Sequence, residues 1–156
     1  MRVAILDDHK MITDMVMEVL EKVSEIKTKE AFTSHSPFIE FLKNNEVNLV
    51  ILDIFMPKIN GLQIIKEIRE FNKDLKIIVL SSSVSTKIMK DVISLGANAY
   101  VTKQDAMSDL IAAMQHFKEK NIKPFFSENA TQAMVANFSK KEVQLSPREV
   151  QLLHLM

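Results

Sequence analysis

The chain alternates short apolar runs with segments in which apolar residues recur at helical spacing. Unbroken runs rich in β-branched residues and leucine are typical of strands that are buried on both faces. The pattern predicts five strands, at residues 2–6, 28–33, 48–52, 76–80 and 97–102. A segment with the 3.6-residue period of an amphipathic helix follows each of them.

Local signals indicate where several of these helices begin and end. Ser36 followed by Pro37 predicts the start of the second helix, with Ser36 as its N-cap. Asn60 and Ser85 are the predicted N-caps of the third and fourth helices, and Gly96 is predicted to close the fourth. Five β-α units joined by short links predict an α/β fold, in which helices cover both faces of a parallel sheet.

Composition narrows the class of protein. The 156 residues are enough for one α/β domain of about 120 residues and an additional segment. With 20 basic and 20 acidic residues, no basic stripe indicates a nucleic-acid surface within the chain. The absence of cysteine excludes disulfides, cysteine-ligated zinc and thiol catalysis. We find neither a signal-peptide layout nor a membrane-spanning run, and so expect a cytoplasmic protein without a membrane partner.

Polar residues with complementary chemistry lie at or just after the predicted strand ends. They are Asp7, Asp8, Asp53, Ser81 and Lys103. In a doubly wound sheet, ligands bind outside the carboxyl ends of the strands. A single aspartate, serine or lysine at such a position is usually a turn, loop or solvated residue, and His9 is expected to be a surface or capping residue. The coincidence of five such positions at one edge favours a functional site.

The acidic residues of this set predict a metal site. Carboxylates within roughly 4–6 Å of each other repel by about 3–4 kcal/mol per pair at an effective dielectric of about 20, unless a cation or a shared proton intervenes. Oxygen ligands suit Mg²⁺. We expect Asp8 and Asp53 to bind the ion directly, Asp7 to act through a water, and the backbone carbonyl of Phe55 to complete the set. Lys103 would then face phosphate oxygens, and a carboxylate can accept a phosphoryl group as an acyl phosphate.

Residues 1–118 resemble the receiver domain of two-component response regulators. The resemblance rests on Leu6-Asp7-Asp8-His9, Leu52-Asp53-Ile54-Phe55-Met56-Pro57, Gly61, Leu80-Ser81-Ser82, Gly96-Ala97 and Tyr100-Val101-Thr102-Lys103. It implies a flavodoxin-like, five-stranded parallel sheet with the strand order 2-1-3-4-5. It also implies that Asp53 is the phosphoacceptor, that Asp7 and Asp8 form the acidic Mg²⁺ pocket, and that a sensor histidine kinase is the phosphodonor.

The same resemblance assigns a conformational switch. Ser81 is the hydroxyl that moves toward the phosphoryl group, Tyr100 is the aromatic residue that turns inward with it, and Lys103 contacts the phosphoryl group. For Tyr100 the alternative is an ordinary, half-buried strand residue. The family implies a phosphoacceptor with self-dephosphorylation at most, and not a turnover enzyme.

The end of the chain narrows the class further. Residues 145–150, Leu-Ser-Pro-Arg-Glu-Val, resemble the first helix of a LuxR-type helix-turn-helix domain, with Ser146 and Glu149 in a capping box. This implies the NarL/FixJ class, with a receiver domain at 1–118, a linker at 119–145 with a helix near 129–141, and a helix-turn-helix domain that begins at 146–156. We expect a truncated form of a longer transcription regulator that contacts DNA through the remainder of that domain; a natural short form is the alternative. For the linker helix, a loosely packed linker and a contact in a phosphorylation-dependent homodimer are the two alternatives.

Two other functions compete with this interpretation. Haloacid-dehalogenase-type phosphatases also use an aspartate after a strand, but they require a second aspartate two residues later. Here Phe55 follows Asp53 at that spacing, and His9 follows Asp7. A phosphate-independent interaction module is the other alternative, which the complete set of polar strand-end residues disfavours.

Overall fold

The computed structural model describes residues 1–143, which form one parallel sheet with helices on both faces. In chain order the elements are β1 (Arg2–Leu6), α1 (Lys10–Glu21), β2 (Thr28–Phe32), α2 (His35–Asn44), β3 (Leu49–Asp53), β4 (Phe55–Met56), β5 (Ile59–Asn60), α3 (Gly61–Phe71), β6 (Lys76–Ser81), α4 (Thr86–Ser94), β7 (Ala99–Thr102), α5 (Ala106–Lys118), β8 (Phe125–Phe126) and α6 (Glu128–Val143). A single 3-10 turn, Lys103–Asp105, joins β7 to α5. The predicted helix-turn-helix segment at 146–156 lies outside the described residues.

The sheet has the order β2-β1-β3-β6-β7-β8, and all its neighbouring strands are parallel. The predicted flavodoxin-like fold is therefore confirmed, with β6 and β7 as the predicted fourth and fifth strands. The predicted number of five strands is wrong, because Phe125–Phe126 adds a sixth along the free edge of β7. A two-residue strand leaves no periodic signal in the sequence. It forms because Phe125 N–H donates to the carbonyl of Asn98 at 3.0 Å, and Ser127 N–H donates to that of Tyr100 at 3.0 Å.

Side chains alternate between two apolar cores, one on each face of the sheet. In β1, Val3 and Ile5 pack in the core that contains α1 and α5, whereas Ala4 and Leu6 pack with α2, α3, α4 and α6. At the centre of the sheet, β3 is buried along its whole length, and β6 is buried at every residue after the exposed Lys76. This burial explains why they appear in the sequence as continuous apolar runs.

Local helix signals are mostly confirmed. The side chain of Asn60 accepts a hydrogen bond from Leu62 N–H at 2.9 Å, as an N-cap does, and Gly96 follows α4 with φ of +111°, which favours glycine. The prediction of Ser36 as N-cap is wrong, because α2 begins at His35 and Ser34 occupies the N-cap position. Pro37 falls within the first turn, where backbone N–H groups have no intrahelical partner and proline is tolerated.

The segment after α5 is structured along the described residues. The helix predicted near 129–141 is present as α6, and it contacts α4 and β7. Ala130 is fully buried there, whereas Phe138 is exposed. No helix among residues 1–143 combines the length and apolar character that crossing a bilayer requires.

Candidate functional site

Three of the predicted site residues meet at the carboxyl edge of the sheet. Strands β1 and β3 are neighbours, and Leu6 lies opposite Leu52. The next residues of the two segments, Asp7 and Asp53, therefore lie side by side. Lys103 follows β7, two strands further along the sheet. Its Nζ lies 3.0 Å from Asp7 Oδ2 and 3.2 Å from Asp53 Oδ2. Both carboxylates are about 1% exposed, so a buried Asp-Lys-Asp cluster occupies this edge.

Asp8 and His9 complete the rim of the cluster. Asp8 is partly buried, and the His9 side chain is 61% exposed. His9 N–H donates to Asp7 Oδ1 at 2.8 Å, and its Nδ1 lies 3.1 Å from both Asp7 Oδ1 and Asp8 Oδ1. His9 was predicted to be a surface or capping residue, and it is exposed at the N-cap position of α1. Its side chain makes no cap hydrogen bond to the helix, however, because its ring faces the two carboxylates. Its position directly after two aspartates was the only signal of this contact.

The donor set fits a divalent cation. Asp7, Asp8, His9 and Asp53 each offer one ligand atom, and these atoms lie within 4.8 Å of one another. Two buried carboxylate oxygens, Asp7 Oδ2 and Asp8 Oδ1, accept no hydrogen bond of good geometry among residues 1–143, although Lys103 Nζ lies 3.0 Å from the first and His9 Nδ1 lies 3.1 Å from the second. The cluster contains three carboxylates, and the ammonium group of Lys103 contacts two of them, Asp7 and Asp53, so its formal charge is negative. A hard cation such as Mg²⁺ is bound in proteins by oxygen ligands of this kind.

Burial and the crowding of carboxylates both act on the pKa values of the cluster. Burial raises the pKa of Asp53 above that of an ordinary aspartate, and the charge of Asp7 raises it further, while the N–H of Phe55 and the ammonium of Lys103 act against this rise. Burial alone would lower the pKa of Lys103, but Asp7 and Asp53 outweigh it and hold that pKa above its usual value. Lys103 is therefore charged, and it compensates the acidic cluster only in part.

A small hairpin places the backbone of Phe55 beside Asp53. Strands β4 and β5 pair antiparallel, and Phe55 N–H donates to Asp53 Oδ1 at 3.0 Å. The hairpin closes where Gly61 N–H donates to the carbonyl of Ile54 at 3.2 Å. A Cβ atom at Gly61 would lie 2.2 Å from the Cα of Ile54, so this close approach requires glycine. The Phe55 side chain is 47% exposed at the mouth of the site.

The residues with predicted switch roles hold one loop. Ser81 is buried at the end of β6, and its Oγ accepts a hydrogen bond from Ser83 N–H at 3.1 Å. Tyr100 is fully buried, and its hydroxyl donates to the carbonyl of Ser83 at 2.7 Å. Burial raises the pKa of the Tyr100 phenol. Tyr100 is thus an inward-facing residue, not a half-buried one, and both residues secure the loop that follows β6.

One buried acid near the site was missed by sequence reasoning. Asp105 is 8% exposed, and it lies in the same turn as Lys103. An aspartate just before a helix is ordinarily its N-cap, so the sequence carries no signal of another role for Asp105. Its carboxylate makes no cap hydrogen bond to α5; instead it accepts hydrogen bonds from Thr102 and Asn129.

The parallel sheet and the acidic cluster at its carboxyl edge are those expected of a receiver domain, and comparison with known families gives the same result. Residues 3–115 match the response regulator receiver domain family. The chain belongs to this family, and the predicted NarL/FixJ class of response regulators is confirmed.

Two proteins of Escherichia coli are similar to this chain in sequence. The chain is 24% identical over 156 residues to the response regulator UvrY of Escherichia coli K12, an alignment that covers 97% of this chain and 71% of UvrY. It is 29% identical over 113 residues to the fimbriae Z protein of the same strain, covering 72% of this chain and 54% of that protein.

Solved structures of RcsB share the architecture. A Salmonella typhimurium RcsB response regulator, described in terms of conformational dynamism for DNA interaction, superposes with a TM-score of 0.85 at 28% identity and covers 99% of this chain and 76% of its own. The isolated receiver domain of Salmonella enterica RcsB with the phosphomimetic BeF3⁻ gives a TM-score of 0.78 at 27% identity, covering 85% and 97% of the two chains. Two RcsB dimers bound to two parallel DNAs match with a TM-score of 0.78 at 28% identity, covering 99% and 75%.

Proposed function

We propose that this response regulator receives a phosphoryl group on Asp53 from the phosphohistidine of a sensor histidine kinase, with Mg²⁺ as cofactor. The observation that carries the proposal is the position of the Asp53 carboxylate. It is buried, in contact with Lys103, and close to the carboxylates of Asp7 and Asp8, with one ligand atom of each residue within 4.8 Å of the others. We assign Mg²⁺ to Asp7, Asp8, Asp53 and the Phe55 carbonyl.

The residues of the site suit phosphoryl transfer. A lone pair of the Asp53 carboxylate attacks phosphorus, the P–N bond to the donor imidazole breaks, and its electron pair stays on the imidazole nitrogen. The product is an acyl phosphate. Lys103 lies where the transferred oxygens would need a positive charge, and a bound Mg²⁺ would neutralise charge on the same oxygens. Hydrogen bonding from Phe55 N–H orients the carboxylate before the reaction.

The response would begin at Ser81 and Lys103. New phosphoryl oxygens attract both residues, so Ser81 Oγ leaves Ser83 N–H, and the loop that Tyr100 holds moves with it. A change from 1:99 to 99:1 between two states requires about 5.5 kcal/mol. Hydrogen bonds to charged groups contribute about 1.5–3 kcal/mol each, so two or three are sufficient.

The output is proposed by analogy with the relatives. RcsB structures contain dimers bound to DNA, and we propose that this regulator also acts as a phosphorylation-dependent homodimer in the cytoplasm. DNA contact would be made through the helix-turn-helix domain that residues 146–156 begin. We expect no turnover of phosphate esters beyond self-dephosphorylation, because position 55 lacks the carboxylic acid of the phosphatases.

A labelling experiment tests the acceptor. The purified chain, incubated with acetyl phosphate, should gain one phosphoryl group by intact mass in the presence of Mg²⁺, and none after chelation. Asp53→Asn should abolish the gain. Asp14→Asn is the matched control, because Asp14 is 62% exposed and pairs with Lys10 on the surface of α1. Undiminished labelling of Asp53→Asn would move the acceptor elsewhere, and an unlabelled native chain would favour a phosphate-independent module.

A further inference from the structure

A second polar cluster attaches the start of α6 to the receiver. Asp105 Oδ2 accepts hydrogen bonds from Asn129 N–H at 2.9 Å and from the Thr102 hydroxyl at 2.8 Å, and its Oδ1 accepts from Asn129 Nδ2 at 2.6 Å. Asp109 Oδ2 accepts from Glu128 N–H at 2.9 Å. The first N–H groups of a helix have no partner within the helix. Here Asp105 of the turn and Asp109 of α5 accept hydrogen bonds from these N–H groups. The residues that cap α6 therefore belong to the receiver and not to the linker.

The backbone just before α6 is bound to β7. Ser127 is fully buried, its N–H donates to the carbonyl of Tyr100 at 3.0 Å, and its Oγ accepts from Thr102 N–H at 3.1 Å. The strand pairing between β7 and β8 therefore continues, through the side chain of Ser127, to the residue just before α6. The backbone groups of Tyr100 and Thr102 thus form hydrogen bonds with Ser127 of the linker. These bonds connect the linker to β7, the strand that precedes Lys103.

The body of α6 packs beside the ring of Tyr100. Ala130 is fully buried in the same apolar core as Tyr100 and Met89, and Ala133 and Met134 pack against that core. Helix α6 contacts both α4 and β7. It covers the edge of the sheet next to the loop that Tyr100 holds, so movement of that loop or of β7 would disturb the packing of α6.

The turn Lys103–Asp105 stands between the two clusters. The side chain at its first position contacts Asp53 and Asp7, and the side chain at its third position caps α6. Hydrogen bonds of 2.6–2.9 Å to Asn129 tolerate little displacement. A shift of Lys103 toward a phosphoryl group on Asp53 would therefore strain the hydrogen bonds between Asp105 and Asn129 at the start of α6.

We propose that Asp105, assisted by Asp109, is a latch that holds the linker helix α6 against α4 and β7, and that phosphorylation of Asp53 loosens this latch through the turn Lys103–Asp105. Asp105 is a positioning residue, since it does not touch the reacting atoms. Release of α6 would uncover the face formed by α4 and β7. The coupling rests on the proposed phosphorylation of Asp53, whereas the latch itself does not.

Hydrogen–deuterium exchange of the full chain without phosphodonor tests the latch. Asp105→Ala removes hydrogen bonds to a charged group, so amides of Glu128–Val143 should exchange roughly tenfold faster or more, while amides of β1 and β3 stay unchanged. Asn129→Ala removes the side-chain half of the same contact without touching Asp105, and should give a smaller increase in the same helix. Asp14→Ala is the matched surface control. Exchange in α6 that is the same in Asp105→Ala as in the native chain would overturn the latch.

The coupling is tested by adding Mg²⁺ and acetyl phosphate. In the native chain, exchange in α6 should accelerate as Asp53 is labelled. In Asp105→Ala, labelling of Asp53 should proceed as in the native chain. Exchange in α6, already fast in this variant, should not rise further on labelling. A residue that only stabilised α6 would leave the response of α6 to labelling in place. A labelled native chain whose α6 does not respond, or a variant that responds as the native chain does, would overturn the coupling. If the native chain is not labelled, the proposed function fails and the coupling with it, while the comparison without donor still decides the latch.

Discussion

Lys103 Nζ lies 3.2 Å from Asp53 Oδ2, although the two residues are 50 positions apart in the chain. Lys103 reaches its partner across β6, which separates β3 from β7 in the sheet. Because its ammonium also lies 3.0 Å from Asp7, one cation holds two buried carboxylates of like charge.

Replacement of Lys103 by methionine should destabilise the metal-free protein. The variant keeps the aliphatic length of the side chain but leaves Asp7 and Asp53 buried without their cation. Loss of one partner from a buried ion pair costs about 3–5 kcal/mol, and we expect at most this in the free energy of unfolding. Urea denaturation with and without Mg²⁺ measures it, and Mg²⁺ should restore part of the loss. A variant as stable as the native chain in the absence of metal would contradict the assigned role.

Binding of Mg²⁺ should stabilise the native fold through its acidic ligands. A ligand at one hundred times its dissociation constant raises the free energy of unfolding by about 2.7 kcal/mol. Thermal unfolding with increasing Mg²⁺ should show a rising midpoint for the native chain and for Asp14→Asn, and a much smaller rise for Asp8→Asn. An equal rise in all three proteins would place the ion outside the cluster.

Tyr100→Phe isolates a single hydrogen bond. The substitution keeps the buried ring but removes the hydroxyl that donates to the carbonyl of Ser83. We expect a loss of about 1 kcal/mol in the free energy of unfolding, because a net hydrogen bond contributes about 0.5–1.5 kcal/mol. Labelling of Asp53 should continue, whereas the α6 response to labelling should weaken. Labelling that disappears in this variant would show that Tyr100 acts on the acceptor itself.

Asp105 should contribute stability that depends on pH. Burial alone would raise the pKa of Asp105, but hydrogen bonds from Asn129, Ser127 and Thr102 together hold the pKa below its ordinary value. A group whose pKa is lowered on folding stabilises the fold above its unfolded pKa, about 3.9 for aspartate, and this contribution is lost as the pH falls through the folded pKa. The contribution is therefore complete at neutral pH.

Comparison of the native chain with Asp105→Asn measures this contribution, since every other group titrates in both proteins. The difference in the free energy of unfolding should be about 1.5–3 kcal/mol, constant from pH 8 to about pH 5, and should shrink below about pH 3.9. A difference that grows on acidification would have the wrong sign for a carboxylate with a lowered pKa.

Local chemistry made much of the fold and site predictable. The central strands are buried on both faces, so they appear as continuous apolar runs, and the aspartates that end two of them mark the edge where a site forms. Asn60 and Gly96 carry their signals in their own chemistry, as a cap acceptor and as a residue with positive φ. For these residues, neighbours within a few positions determine the conformation.

Contacts between distant segments decided the rest. Phe125–Phe126 is a strand only because the free edge of β7 offers backbone partners, and Asp105 caps α6 only because the fold brings Asn129 to it. Tyr100 is fully buried in a core to which residues of several distant helices, α6 among them, contribute. The sequence by itself determined the five long strands, the helices that follow them and the acidic site, because periodicity, capping and strand-end position are local properties. Only the tertiary structure decided how the linker is attached, because hydrogen bonds between segments about 25 residues apart leave no pattern along the chain.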